Sequence, residues 1–114
     1  MKRFVFRLCA VAIFSATAFA VAAFAEDEAT FRIEFNDGVV APQRLEVPAN
    51  RRLVIELVNK GQSPAEFESR ELRKEKVLAP DSSSSLVIRS LDPGEYDFFD
   101  DFHPDAPPAR LVAK

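Results

Sequence analysis

Two short stretches hold the residues able to do chemistry. Asp100, Asp101 and His103 stand at the end of the aromatic run that starts at Tyr96, and Glu66 and Glu68 follow Pro64; His103 is the only histidine of the chain. Carboxylate oxygen and imidazole nitrogen suit Cu(II), Fe, Mn or Zn, and the absence of thiolate and thioether rules out a soft Cu(I) site. The one cysteine, Cys9, and the one methionine, Met1, lie near the N-terminus. Glu66, Glu68, Asp100, Asp101 and His103 are therefore the candidate metal ligands. The residues alone leave two readings open. Either these groups form a solvated strand end, or they converge on a cation, because carboxylates gathered in one place repel one another. That cation is a metal ion or a side chain of the charged segment 70–76, with Arg70, Lys74 and Lys76 as the choices.

The elements that must position these groups read as strands. Phe31, Ile33 and Phe35 alternate with Arg32 and Glu34, the period of a strand with one buried face. Asn36-Asp37-Gly38 breaks it. Leu45 and Val47 alternate with Arg44 and Glu46 between Pro42 and Pro48, which marks an edge strand. The run from Arg52 to Val58 puts Leu53, Ile55 and Leu57 on one face and ends at Asn59-Lys60-Gly61. Beyond Pro64, Glu66 and Glu68 point one way and Phe67 the other. The like-sign pairs Glu71/Glu75 and Arg70/Lys74 do not support a helix, so 70–76 reads as a connecting excursion. Pro80, Asp81 and the serines Ser82 to Ser85 read as a turn, Leu86 to Ile88 as a buried strand, and Asp92-Pro93-Gly94 as a β-turn. Tyr96, Phe98 and Asp100 then share one face and Asp97 and Phe99 the other, so the aromatic face runs into Asp100. His103 precedes Pro104, which favours an extended exit able to aim the imidazole back at the strand end. A last strand lies around Leu111 and Val112. About seven short strands with regular turn signals and no amphipathic helix indicate a two-sheet antiparallel β-sandwich forming one domain over residues 26–114.

The first 25 residues differ from the rest. Lys2, Arg3 and Arg7 precede an apolar stretch from Leu8 to Phe24 that ends in Ala23-Phe24-Ala25 and is followed by Glu26-Asp27-Glu28. This is the pattern of a cleaved secretory signal peptide, and it implies an exported, periplasmic protein. All eighteen acidic residues lie beyond position 25 and three of the fifteen basic ones before it, so the exported part carries eighteen acidic against twelve basic groups. Such an acidic chain lacks the basic face that nucleic-acid phosphates need, and favours cations and basic partners. Its three glycines, Gly38, Gly61 and Gly94, are isolated turn residues, so no phosphate-cradling loop exists. Ser82 to Ser85 show no nearby base, which leaves no nucleophile template.

Gly94-x-Tyr96-x-Phe98-x-Asp100-x-x-His103 resembles the last-strand signature of cupredoxins, Gly-x-Tyr-x-Phe-x-Cys-x-x-His, with aspartate at the cysteine position. Asn59-x-Gly61-x-x-Pro64 followed by Glu66 resembles the other half of that site, where cupredoxins place their first histidine. Beyond the leader the chain is similar over nearly its whole length to small periplasmic cupredoxin-like proteins of the EfeO-type group. Pro64 to Ser69, Glu75-Lys76-Val77 and Phe98 to Pro104 together resemble its FtrB-type branch. The resemblance implies a cupredoxin-like antiparallel Greek-key β-sandwich and copper (Cu2+) as cofactor, with iron as the second choice. It also implies copper-assisted oxidation of ferrous iron beside a periplasmic iron-binding protein and an inner-membrane ferrous iron permease. The implied site is type 2-like, with His103 binding by nitrogen, Asp100 or Asp101 and Glu66 by oxygen, and Glu68 as a further or transient ligand. With no cysteine, no methionine after His103 and Glu66 at the first histidine position, the electron-transfer centre of ordinary cupredoxins cannot form. The expectation is stoichiometric copper binding with little unaided turnover. Two other readings stand beside it: a metal-free interaction module that docks through 70–76 and Phe102, and a self-sufficient ferroxidase.

Overall fold

The computed structural model describes Arg3, Ala12, Ile13 and residues 28–114. The leader expected over residues 1–25 lies outside the described residues apart from those three positions. Among the described residues no helix is long and apolar enough to cross a membrane.

Among the described residues nine strands form two sheets. They are β1 (Ala29–Asn36), β2 (Val39–Ala41), β3 (Arg44–Val47), β4 (Leu53–Asn59), β5 (Ala65–Ser69), β6 (Lys74–Leu78), β7 (Ser82–Ile88), β8 (Gly94–Asp100) and β9 (Ala109–Ala113). The four-stranded sheet has the order β2-β1-β4-β7 and the five-stranded sheet the order β3-β9-β8-β5-β6. Alternation sets which residues enter the core. Ile33 and Phe35 of β1, Leu53, Ile55 and Leu57 of β4, and Leu86 and Ile88 of β7 are buried from one side. Phe67, Phe98, Leu111 and Val47 meet them from the other. At the centre Phe67 and Phe98 stack with ring centroids 5.0 Å apart.

The cupredoxin-like β-sandwich expected from the sequence is present, with three differences of detail. First, β1 and β4 run parallel, as do β3 and β9, and the remaining neighbours are antiparallel. Alternation reports which face a residue occupies and carries no information on strand direction. Second, the segment read as a connecting excursion contains β6, which pairs with β5 from Ala65↔Leu78 to Ser69↔Lys74. It is an edge strand whose Lys74, Glu75 and Lys76 are all exposed, so no buried face printed a period on it; charge of this kind protects an edge from further pairing. Third, the serine run belongs to β7, where it pairs with β4 from Asn59↔Ser82 to Leu53↔Ile88.

Three connections meet at one end of the sandwich. Parallel β1 and β4 both finish there, at Asn36 and Asn59, and the chain leaves β8 there at Asp100. The β1–β2 turn, the loop 60–64 and the segment 101–108 therefore lie beside one another.

Candidate functional site

The candidate residues fall into two adjoining groups at this end. The first centres on Asp100, which follows Phe98 on the inward face of β8 and is 1% exposed. A carboxylate so placed must be hydrogen-bonded. One oxygen, Oδ1, accepts the backbone N–H groups of Glu66 at 3.0 Å and Phe102 at 3.1 Å. The other, Oδ2, lies 2.8 Å from Nδ1 of His103. An ionised carboxylate only accepts, so the imidazole Nδ1 donates. The ring is brought back by a tight turn in which the His103 N–H donates to the Asp100 carbonyl at 3.0 Å. The inward-pointing imidazole expected from the spacing is thus present.

On its other side, Nε2 of His103 lies 3.3 Å from Oγ of Ser63, and that hydroxyl donates to Oδ1 of Asp37 at 2.6 Å. Asp37 also accepts the N–H groups of Gln62 at 3.0 Å and Ser63 at 2.9 Å. The Ser63 hydroxyl, followed by these two amides, holds the Asp37 carboxyl below the usual range. One glycine makes room for this chain of contacts. A Cβ on Gly61 would lie 2.6 Å from Asp37 Oδ1, whereas one on Gly38 would make an ordinary 3.4 Å contact with His103 Cδ2. Underneath, buried Asn59 donates to the carbonyls of Ser63, Leu78 and Ala79 and accepts the Gly61 N–H at 2.9 Å.

The order Ser63, His103, Asp100 is that of a nucleophilic triad. Here the serine proton is directed to Asp37, and the amides of Gln62 and Ser63 that could polarise a carbonyl are donated to the same carboxylate. The arrangement binds loops together and does not ready a nucleophile.

The second group is Glu66, Glu68 and Asp101, which offer one carboxylate oxygen each within 4.8 Å of one another. Glu66 and Glu68 share the outer face of β5, and Asp101 is the first residue beyond β8. Its N–H donates to the Glu66 carbonyl at 3.1 Å. Loss of hydration, then the charge of Asp101, pushes the Glu66 carboxyl above the ordinary glutamate range. The Glu68 carboxyl is pushed up by the same two causes and by a hydrogen bond with Asp101, against a smaller downward pull from Arg70. Arg70 has its guanidinium over the Phe99 ring, 5.4 Å from the centroid. Arg70, one of the three side-chain cations weighed in the sequence, thus acts on Glu68 and does not reverse the direction.

Of the five candidate ligands, then, the fold places Glu66, Glu68 and Asp101 together and Asp100 with His103. One link joins the two groups: the Glu66 N–H donates to Asp100. Sequence reasoning missed Asp37, Ser63, Asn59 and Glu75. In the sequence Asp37 reads only as a turn former and Asn59 as a strand end and part of the resemblance at Asn59-x-Gly61-x-x-Pro64, although Asp and Asn in turns are common sites of side-chain to backbone bonding. Glu75 stands directly across from Glu68 in the β5–β6 register. Reading 70–76 as a connection hides it.

The donors decide what ion each group can hold. Carboxylate oxygens suit hard and borderline cations. A cupredoxin copper centre needs soft sulfur and more than one imidazole nitrogen, and that set is incomplete: Cys9 is the only cysteine and His103 the only histidine, with Nδ1 on Asp100 and Nε2 against Ser63 Oγ. The copper centre of the family therefore does not fit Asp100 and His103, while a hard cation fits Glu66, Glu68 and Asp101.

Comparison with known proteins agrees with the architecture. The family model for the cupredoxin-like domain matches residues 8–113. An uncharacterized protein of Rickettsia prowazekii (strain Madrid E) is 34% identical over 81 residues, covering 71% of this chain and 65% of that protein, so the chain spans just under two thirds of its relative. Among solved structures, dithionite-reduced auracyanin from Roseiflexus castenholzii superposes with a TM-score of 0.65 at 11% identity, over 76% of this chain and 98% of that one. A purple cupredoxin from Nitrosopumilus maritimus does so with a TM-score of 0.55 at 15% identity, over 73% and 98%. At these identities the likeness is one of fold. Two sheets closed around a single core, a site gathered at one end and a family model spanning almost all of the sequence lead to one assignment: the chain belongs to the cupredoxin-like domain family.

Proposed function

We propose that this protein is a periplasmic cation-binding member of its family that serves ferrous iron uptake, with Glu66, Glu68 and Asp101 holding the ion. The observation that carries the reading is the convergence of three carboxylate oxygens within 4.8 Å, on a face where two of the carboxyls are already pushed up by lost hydration and by their acidic neighbours. Iron is the cargo. An all-oxygen set favours the hard ferric ion over the softer ferrous one, and so favours the product of oxidation. Cu(II) also accepts carboxylates, and copper-assisted oxidation, in which Cu(II) takes the electron that Fe(II) gives up, is the form the FtrB-type resemblance gives to the role; that resemblance sets His103 among the copper ligands, whereas here the ion is placed on the carboxylates. The chain's own part is to gather, orient and partly dehydrate the three carboxylates; turnover needs partners. Those partners are a periplasmic iron-binding protein and an inner-membrane permease, and export rests on the leader of residues 1–25. A metal-free docking module is the rival.

Titration of the purified protein with Fe(III) citrate, and separately with Cu(II), compared with Glu68→Gln, tests this. Saturable binding of one ion per chain, weakened at least about tenfold by Glu68→Gln, is expected. Equal binding by both proteins, or none by either, refutes it and leaves the docking module.

A further inference from the structure

We infer that the chain of contacts from Asp37 through Ser63 and His103 to Asp100 is a metal-independent latch that stands where this family carries its metal, so that the histidine is a structural residue and the cation site lies outside it. The inference rests on hydrogen bonding and packing around His103 and not on the carboxylate reading of Glu66, Glu68 and Asp101.

Position comes first. Asp100 and His103 occupy the cysteine and histidine places of the last-strand signature, and in that signature both side chains turn to the metal. Here they turn to each other, with Asp100 Oδ2 and His103 Nδ1 2.8 Å apart. Both oxygens of Asp100 are engaged within the protein. Its carboxylate is 1% exposed and already accepts from Glu66 and Phe102 at Oδ1 and from His103 at Oδ2. Withdrawing the His103 ring would leave the buried Oδ2 without a partner.

Connectivity comes second. The latch joins three segments that share no strand ladder at this point: the β1–β2 turn through Asp37, the loop 60–64 through Ser63, and the exit of β8 through Asp100 and His103. A metal ion does the same work in a metal-stapled fold, by tying distant segments to one centre. Charge and hydrogen bonds replace it here.

Packing comes third. Gly61 lets Asp37 approach to a distance no side chain would permit, since a Cβ there would stand 2.6 Å from Asp37 Oδ1. The His103 ring packs against the β1–β2 turn beside Gly38, whose φ of +92 shapes that turn.

The test uses the purified protein and its Glu68→Gln variant before and after exhaustive treatment with EDTA. In Glu68→Gln, where the outer cation site is weakened, both forms are expected to melt at the same temperature. In the metal-stripped protein, nuclear magnetic resonance should show a hydrogen-bonded proton on His103 Nδ1. That proton should persist, and the nitrogen resonance of His103 Nε2 should stay where it is, on saturation with Ga(III), a diamagnetic substitute for Fe(III). His103→Ala should lower the melting temperature of the metal-stripped protein by more than about 10 °C, while the affinity of folded protein for Ga(III) stays within about threefold of wild type. Ser63→Ala, which removes only the middle link, should give a smaller fall in the same direction. Should His103→Ala fail to fold, the Nε2 resonance of the wild type still decides. A marked shift of Nε2, or loss of the Nδ1 proton, when Ga(III) binds would overturn the latch, as would a marked fall in Glu68→Gln melting on EDTA treatment. Nitrogen coupling in the Cu(II) resonance that vanishes in His103→Ala would do the same. Failure of Glu68→Gln to weaken binding would sink the carboxylate site and leave the latch standing.

Discussion

Gly61→Ala perturbs this end of the molecule without replacing a single polar side chain, which makes it a sharp test of the contacts described. Gly61 is buried, and its backbone is outside the left-handed region, so the substitution brings no conformational strain of its own. The cost is steric. The new Cβ would stand 2.6 Å from Asp37 Oδ1, 2.7 Å from the Asp37 backbone nitrogen and 2.9 Å from Asp37 Cγ. A rotamer change could move the carboxylate but not the nitrogen, so the β1–β2 turn must separate from the loop 60–64. The hydrogen bond from Lys60 N to the Phe35 carbonyl, 2.8 Å long, ties the same two segments and resists that separation. Inserting one methyl group into a site this tight costs about 1–3 kcal/mol. For a domain of this size that corresponds to a fall in melting temperature of roughly 5–20 °C.

Differential scanning calorimetry measures the fall, and amide exchange locates it. Exchange should accelerate at Gln62 and Ser63, whose N–H groups donate to Asp37, while the β4–β7 ladder stays protected. Gly38→Ala is the control. Its Cβ would make an ordinary 3.4 Å contact with His103, so its cost of about 1–2 kcal/mol comes from φ +92 instead. A Gly61→Ala protein that melts within about 2 °C of wild type, with Gln62 and Ser63 exchanging as before, would show that the turn and the loop are not packed as described.

Three further outcomes follow from the same geometry. Glu68→Gln should raise the melting temperature of the cation-free protein at neutral pH, because it removes a charge from a group whose carboxyls are pushed up by lost hydration and by one another. The sign for pH is the same: a glutamate with a raised folded pKa is penalised while ionised, so the cation-free wild type gains stability as pH falls from neutral towards the ordinary glutamate range near 4.5. Calorimetry across that range should show a smaller gain in Glu68→Gln. Asp37 acts oppositely, with a lowered pKa whose stabilisation is lost only as pH falls below the ordinary aspartate value of 3.8. Asn59→Asp keeps the acceptor for Gly61 but sets a carboxylate against the carbonyls of Ser63, Leu78 and Ala79, and chemical denaturation should register a loss of about 2–4 kcal/mol. Phe98→Ala, which opens the stacked pair at the core, should cost about 3–5 kcal/mol by the same assay.

Much of the fold was legible because burial on one face prints a period of two on the sequence. Phe31 to Phe35, Leu53 to Leu57 and Tyr96 to Asp100 all alternate as expected, and Asp100 proves to be the inward continuation of Phe98. Edge strands β6 and β7 were less legible. Lys74 to Lys76 bury nothing, and in Ser82 to Ser85 every residue is polar, so neither stretch has a contrast of faces to read. Strand direction was invisible for the reason already given. In the site, the acidic and imidazole residues were identifiable by type. Their division into two groups was not, because it depends on which donors reach Asp100. Two of those donors are backbone amides, of Glu66 and Phe102, and every residue but proline carries one.

That division also explains why an aspartate can stand at a buried strand end where the related signature has cysteine. A thiolate there is stabilised by its metal. An aspartate without a metal needs hydrogen-bond donors of its own, and the fold supplies them from three directions: Glu66 on β5, Phe102 in the turn, and the His103 ring. The Glu66 contact has a further consequence. With its N–H held by Asp100 and its carbonyl accepting the Asp101 N–H at 3.1 Å, residue 66 is pinned from both sides of its backbone. Its side chain is thereby presented beside Glu68 and Asp101 on the outer face. The buried pair thus fixes the backbone that carries the outer carboxylates. Loosening the pair should therefore reach the outer group through the strand and not through a shared ion: an Asp100→Asn change, which keeps the side-chain shape and weakens the ring contact, should lower stability more than it lowers cation affinity.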